Sequence, residues 1–228
     1  FADIDLTNGF HQIPISTETS ELLSVQTPWG TVRPLFLPEG VPQGSGLLQE
    51  IMSTIFADYH EWTIVIFDNL LVLATDYDDM YEKVRLVLIR AVEHNLVFKM
   101  KKTWLGMKEV TFFGYVCSEH QYELSEERLK GIVDMIMPNN KKAVKRFLGT
   151  AGFFIPFVPH YSALVAPLHD MSKDNFSWDP KSWSIDYNAV FETFKDALKN
   201  ATTLYYPDYD LEWILRADAS ELGVGCVL

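Results

Sequence analysis

Thr63-Ile64-Val65-Ile66-Phe67-Asp68-Asn69-Leu70-Leu71-Val72-Leu73-Ala74 consists of two short apolar runs on either side of a polar pair. Both runs are rich in β-branched or aliphatic residues, and neither is long enough for a helix. Two strands around a tight Asp68-Asn69 turn are expected, because Asn and Asp tolerate the left-handed backbone of such a turn. The near-continuous apolar character predicts a buried hairpin. A carboxylate at the tip of a buried hairpin is costly unless compensated, and a divalent cation is the usual compensation. An ordinary solvent-facing turn is the alternative reading of this stretch taken alone.

A second acidic strand gives the hairpin a context. The chain opens Phe1-Ala2-Asp3-Ile4-Asp5-Leu6-Thr7-Asn8-Gly9-Phe10-His11-Gln12-Ile13-Pro14. As a strand, this places Asp3 and Asp5 on one face and Ile4 and Leu6 on the other. Asp-Leu-x-x-Gly-aromatic-His-Gln-Ile-Pro resembles the first palm motif of reverse transcriptases, those of gypsy-type LTR retrotransposons in particular. Ile66-Phe67-Asp68-Asn69 resembles their YxDD box, with its second aspartate replaced by Asn69.

Further stretches carry the resemblance. Leu37-Pro38-Glu39-Gly40-Val41-Pro42-Gln43-Gly44-Ser45-Gly46 is a loop, with Ser45 as the expected N-cap of a helix running to about Tyr59. It is similar to the second palm motif, in which Gln43 and Gly44 take the positions beneath the nascent base pair. Glu39 stands where the family usually has an aromatic. Residues 23–27 and 31–36 read as a hairpin around Pro28-Trp29-Gly30. Residues 80–95 have helical apolar spacing at Val84, Val87, Leu88 and Val92, and Asp76, Asp78 and Asp79 are read as its cap. Residues 96–103 are expected as a strand ending in Lys101-Lys102, and 110–117 as a hairpin similar to the family's primer grip.

From Leu124 the texture turns helical. Helices are expected from Ser125 to about Ile136, over 141–154, over 162–171 and over 186–200. The last turns Val190, Phe191, Phe194 and Leu198 inward. Lys141, Lys142, Lys145 and Arg146 form the one pronounced basic cluster of the sequence, in a segment similar to the family's thumb. Residues 211–220 and 223–228 read as two strands that resemble the onset of a retroelement ribonuclease H domain, with Asp218 as its first metal-binding carboxylate.

The fold class expected is α+β: a right-hand polymerase palm (an antiparallel sheet with packed helices), a helical thumb and an incomplete ribonuclease H-like β-hairpin. The expected domains are palm with part of the fingers at 1–123, thumb at 124–172, a connector with a helix at 173–208, and the ribonuclease H onset at 209–228. On this reading the chain opens at the first palm motif, so most of the fingers and the later ribonuclease H acids lie outside it.

The resemblance implies RNA-directed DNA polymerase activity by two-metal nucleotidyl transfer. Two Mg2+ (or Mn2+) ions need hard oxygen ligands, which Asp5 and Asp68 would provide, with the Leu6 carbonyl as a further donor. Asn69 is the degenerate third position. Asp3 has no counterpart in the motif and is read as structural. Phe10 would lie under the incoming sugar, or else be an ordinary core aromatic. Lys102 would sit near the triphosphate, or else be a solvated surface residue. The basic cluster would lie against the template–primer backbone. The partners implied are RNA or DNA template–primer, dNTPs and the rest of a retroelement polyprotein, in an intracellular setting (cytoplasm, nucleus or virus-like particle).

Composition bears on this reading from the other side. The 228 residues are 48% hydrophobic and 22% charged, with a formal net charge of −12. An acidic chain is a poor match for phosphate contacts, which need Lys and Arg. The two cysteines, Cys117 and Cys226, are far apart and suit neither a disulfide framework nor a structural zinc site. No apolar run reaches membrane-spanning length. A second reading follows: a decayed or co-opted copy that keeps the fold without the activity. Asn69, Glu39 and the acidic balance favour it. An unrelated acidic α/β binding module is a third.

Overall fold

The computed structural model describes residues 1–201, 203–220 and 223–227. The chain divides into two compact units, Phe1–Phe113 and Gly114–Leu228.

The first unit contains β1 (Ala2–Asp5), α1 (Thr17–Leu22), β2 (Val25–Thr27), β3 (Gly30–Val32), α2 (Gly44–Ile55), β4 (Thr63–Ile66), β5 (Asn69–Val72), α3 (Tyr77–Glu93) and β6 (Val110–Phe112). Its central sheet has the order β1-β5-β4, antiparallel throughout. β1 alternates as its sequence demands: Ala2 and Ile4 are buried, while Asp3 and Asp5 are on the opposite, partly open face. The apolar face of the sheet packs with Leu48, Met52 and Phe56 of the α2 region and with Met80 and Val87 of α3.

The hairpin forms, but its turn is Phe67-Asp68 rather than Asp68-Asn69, since Ile66 pairs with Asn69. β5 is the middle strand, and its other edge must pair with β1. That second pairing draws Asn69 into the ladder opposite Asp5. The hairpin is also less buried than its composition suggests. β5 is the buried strand, whereas β4 lies at the sheet edge with Ile64 42% exposed.

Other expectations shift for local reasons. The helix after the glycine-rich loop begins at Gly44 with Gln43 as its N-cap, so Ser45 lies inside it; α2 stops at Ile55 and a 3-10 turn spans Ala57–Tyr59. α3 starts at Tyr77, capped by the Asp76 carboxylate accepting from the Asp79 N–H at 2.8 Å. Its buried stripe is Met80, Val87 and Ala91, whereas Leu88 and Val92 are exposed. Residues 96–103 form no strand. Phe98 makes an isolated bridge to Leu6, just past β1, and Trp104, just past this segment, makes one to Asp3 of β1; a 3-10 turn, Met100–Lys102, lies between the two.

The second unit contains β7 (Tyr115–Cys117), β8 (Gln121–Leu124), α4 (Glu126–Val133), α5 (Lys141–Ala151), α6 (Tyr161–Asp170), α7 (Tyr187–Lys199), β9 (Leu204–Tyr205), β10 (Arg216–Ser220) and β11 (Gly223–Val227). The helices enclose a separate core that includes Ile132, Val144, Phe147, Phe154, Val165, Phe191 and Phe194. Side-chain caps at Ser125, Asn140 and Asp186 start α4, α5 and α7. α4 and α5 end earlier than expected, and a 3-10 segment follows α5 at Gly152–Phe157. β10 and β11 pair as a hairpin, while residues 211–215 lie outside the strands.

Candidate active site

The acidic face of the first unit is built on the β1–β5 ladder. The register sets Asp5 opposite Asn69 and Asp3 opposite Leu71. Directly paired residues of an antiparallel ladder project to the same face with Cβ atoms about 5 Å apart. Asp68 reaches the same end of the sheet from the turn, where its carbonyl accepts from the Leu6 N–H at 2.9 Å.

Two neighbours, Gln49 and Gly9, hold the turn. Phe67 has φ of 53°, a left-handed conformation costly for a bulky residue and sustained only by its surroundings. Gln49 of α2 supplies that bracing. Its amide oxygen accepts from the Phe67 N–H at 2.7 Å, and its amide nitrogen donates to the Val65 carbonyl at 3.0 Å. Gly9 provides the closeness: a Cβ at this position would be 2.9 Å from the Asp68 Cβ, so any larger residue would push the turn away. Gln12 clamps the end of β1 by donating to the Thr7 and Val97 carbonyls while accepting from the Val97 N–H. Sequence reasoning missed Gln49 as a brace, because only the folded packing of α2 beneath the hairpin brings residues 49 and 67 together.

Phe10 is half-buried in a 3-10 turn, Gly9–Gln12, and a Cβ on Gly44 would meet its ring at 3.3 Å. The missing side chain at Gly44 therefore lets the aromatic lie against the first turn of α2. Gln43 is exposed, with no side-chain bond to the helix end, and Glu39 is exposed as well.

Lys102 donates to Asp5 Oδ2 at 3.0 Å. The hydrogen bond and charge of Asp5 raise the Lys102 pKa above the ordinary lysine value, and the charges of Asp68 and Asp3 add to this. Asp3 is pushed above the usual carboxylate range, first by burial and then by the charge of Asp5, with Lys102 opposing. Its Oδ1 is buried with no hydrogen-bond partner.

Hard divalent cations take oxygen ligands, and carboxylates from adjacent strands provide them. Asp5 and Asp68 fit that chemistry, and the orphaned Asp3 Oδ1 adds unpaired negative character beside them. Asn69 brings a neutral amide to the position opposite Asp5, donating weakly to Asp68 Oδ1 at 3.4 Å. Among the described residues, no group of three or more His, Cys, Asp or Glu is placed to hold a metal ion.

In the second unit, Lys142, Lys145 and Arg146 are exposed along α5, and Lys141 pairs with Asp174. Asp218 lies in β10 opposite Gly225; its side chain falls outside what the structure describes.

Comparison with known proteins gives this architecture its class. Residues 1–117 match the family model described as reverse transcriptase (RNA-dependent DNA polymerase), and residues 183–228 match that of the RNase H-like domain found in reverse transcriptase. The chain belongs to the reverse transcriptase family, and its C-terminal part matches the RNase H-like model.

Among curated proteins, the whole chain is 26% identical to the retrovirus-related Pol polyprotein from transposon 297 of Drosophila melanogaster, covering 21% of it. It is also 26% identical to the transposon Tf2-7 polyprotein of Schizosaccharomyces pombe, covering 17% of it. The chain thus spans about a fifth of the polyproteins it matches. Among solved structures, 96% of the chain superposes on 38% of a foamy viral protease-reverse transcriptase in complex with double-stranded DNA, with a TM-score of 0.81 and 22% identity. The same viral enzyme in complex with an RNA/DNA hybrid gives a TM-score of 0.73 at 21% identity over 88% of this chain and 27% of that one. These neighbours establish the α+β polymerase fold.

Proposed function

We propose that this chain is the template-copying core of a retrotransposon polyprotein, with a nucleotidyl-transfer site centred on Asp5 and Asp68 and weakened at Asn69. The observation that carries the reading is the ladder register. It places Asp5 directly opposite the degenerate position, with Asp68 in the adjoining turn. Bound Mg2+ or Mn2+ would supply activation of the primer 3′-oxygen and neutralisation of the triphosphate.

The protein's own groups have separate tasks. Asp5 and Asp68 present oxygen ligands at the sheet end. Phe10, seated on Gly44, shapes the floor for the incoming sugar, with Gln43 beside it. Lys102 offers an ammonium to an incoming triphosphate. Lys142, Lys145 and Arg146, with Lys141, form the face offered to the backbone of an RNA or DNA template–primer. Asp218 is proposed as the first acid of the ribonuclease H site. The proposed partition remains palm 1–123, thumb 124–172, connector 173–208 and ribonuclease H onset 209–228, and the proposed setting is intracellular.

The second reading, a copy that keeps the fold and nucleic-acid or protein binding without polymerisation, is favoured by Asn69 and by the net charge of −12. The deciding experiment is primer extension in Mg2+ by the polyprotein carrying this segment, compared with its Asp5→Asn/Asp68→Asn variant. Extension abolished by the double substitution supports the polymerase reading. Template–primer binding with no extension in either protein supports the second.

A further inference from the structure

We propose that Lys102 is a built-in counter-ion of the acidic face that competes with a divalent cation for Asp5. The proposal rests on the reading that this face takes such a cation.

The backbone places the ammonium there by a specific irregularity. From the Leu6–Phe98 bridge to the Asp3–Trp104 bridge, β1 advances three residues while the facing segment advances six. The excess is taken up by the 3-10 turn Met100–Lys102. This turn is pinned on both sides: the Lys99 N–H donates to the Asp5 carbonyl at 2.7 Å, and Trp104 exchanges two 2.9 Å hydrogen bonds with Asp3. The bulge therefore carries Lys102 over the carboxylates rather than along the strand.

The pair is unequally buried. The Asp5 side chain is 16% exposed and that of Lys102 59% exposed. Asp5 is fixed in the sheet, whereas Lys102 is half in solvent on a flexible four-carbon stem and can withdraw. A divalent ion of magnesium's size sits about 2.1 Å from its ligand oxygen. An ammonium hydrogen-bonded to the same Oδ2 occupies that approach, so each cation excludes the other there. The charges of Asp68 and, to a lesser extent, Asp3 add to the hold of Asp5 on Lys102. Lys102 would thus have to leave Asp5 Oδ2 before a divalent cation could be held there.

The test uses Mn2+ as probe, with binding to the 228-residue chain followed by electron paramagnetic resonance. Lys102→Met keeps the stem and removes the charge, and Lys102→Arg keeps the charge. Mutually exclusive binding is a negative coupling, typically worth about fivefold or more in affinity. Lys102→Met is expected to bind Mn2+ about fivefold or more tightly than the wild type, with Lys102→Arg close to wild type. In EDTA, Lys102→Met should melt below the wild type and gain more from added Mn2+. Asp5→Asn separates the two ways of failing. If Asp5→Asn abolishes Mn2+ binding while Lys102→Met binds no tighter than the wild type, the counter-ion role is overturned and the metal-site reading stands. If no protein of the set binds Mn2+, both are overturned.

Discussion

Restoring a carboxylate with Asn69→Asp perturbs the site in a way that the ladder allows to be worked out. Residue 69 pairs directly with Asp5, and its amide lies 3.4 Å from Asp68 Oδ1. The two side chains are nearly isosteric, so the hairpin should fold unchanged and the added charge is the main difference. With the roughly 5 Å Cβ spacing of directly paired residues as the separation, a unit charge and a dication attract by roughly 7 kcal/mol at an effective dielectric of about 20, and screening by water to about half of that leaves roughly 3 kcal/mol. If that stabilisation is expressed in the transition state, the rate of nucleotide addition rises roughly a hundredfold. Without metal the sign reverses, because a further carboxylate repels Asp5 and Asp68. Asn69→Asp should therefore melt lower than the wild type in EDTA and gain more from Mn2+. The assay is single-nucleotide primer extension in Mg2+ by the polyprotein with and without the substitution, run beside thermal melts of the 228-residue chain. Equal extension rates combined with an equal Mn2+ response of the melts would refute the reasoning, since Asn69 would then be no deficit.

Gln49→Ala removes both hydrogen bonds that brace the Phe67 turn; the cost is expected at about 1–3 kcal/mol by urea unfolding, with faster amide exchange at Phe67, and unchanged exchange there would contradict the bracing role. Asp3→Asn tests the orphaned carboxylate. Because the folded pKa of Asp3 is raised, its ionised form opposes folding: the protein is relieved of that penalty below the unfolded carboxylate pKa and pays it in full once pH exceeds the folded one. The variant should thus be more stable than wild type near neutral pH, with the gain vanishing in acid; a gain independent of pH would show that charge is not the cause. Replacing Lys142, Lys145 and Arg146 by Ala should weaken template–primer binding and reduce the slope of log K against log salt by about 2–3, roughly one unit per lost phosphate contact; an unchanged slope would remove α5 from the interface.

Much of this protein is readable from local chemistry. Alternation in Ala2–Asp5 assigns the two faces of β1, the acidic cap at Asp76 starts α3, and the spacing of Phe191, Phe194 and Leu198 gives the buried stripe of α7. These features depend on a residue and its near neighbours, so periodicity and capping suffice. The order of the two acidic strands, with the loop and helix between them, was likewise enough to name the reverse transcriptase resemblance that the family match bears out.

What the linear pattern left open was settled by contacts between distant residues. The turn moved to Phe67-Asp68 because β5 has two neighbours, and pairing with β1 sets a register that turn propensity alone does not. Residues 96–103 have the composition of a strand, yet a slip of register against the chain's first strand leaves only isolated bridges at Phe98 and Trp104 around a 3-10 turn. Gln49 and Gly9 matter only because α2 and the segment after β1 pack against the hairpin. The ion pair between Lys102 and Asp5 joins residues 97 positions apart. Propensity acts within a few residues of chain, whereas register and counter-ion placement are decided when separate segments pack, and so only the tertiary structure could decide them.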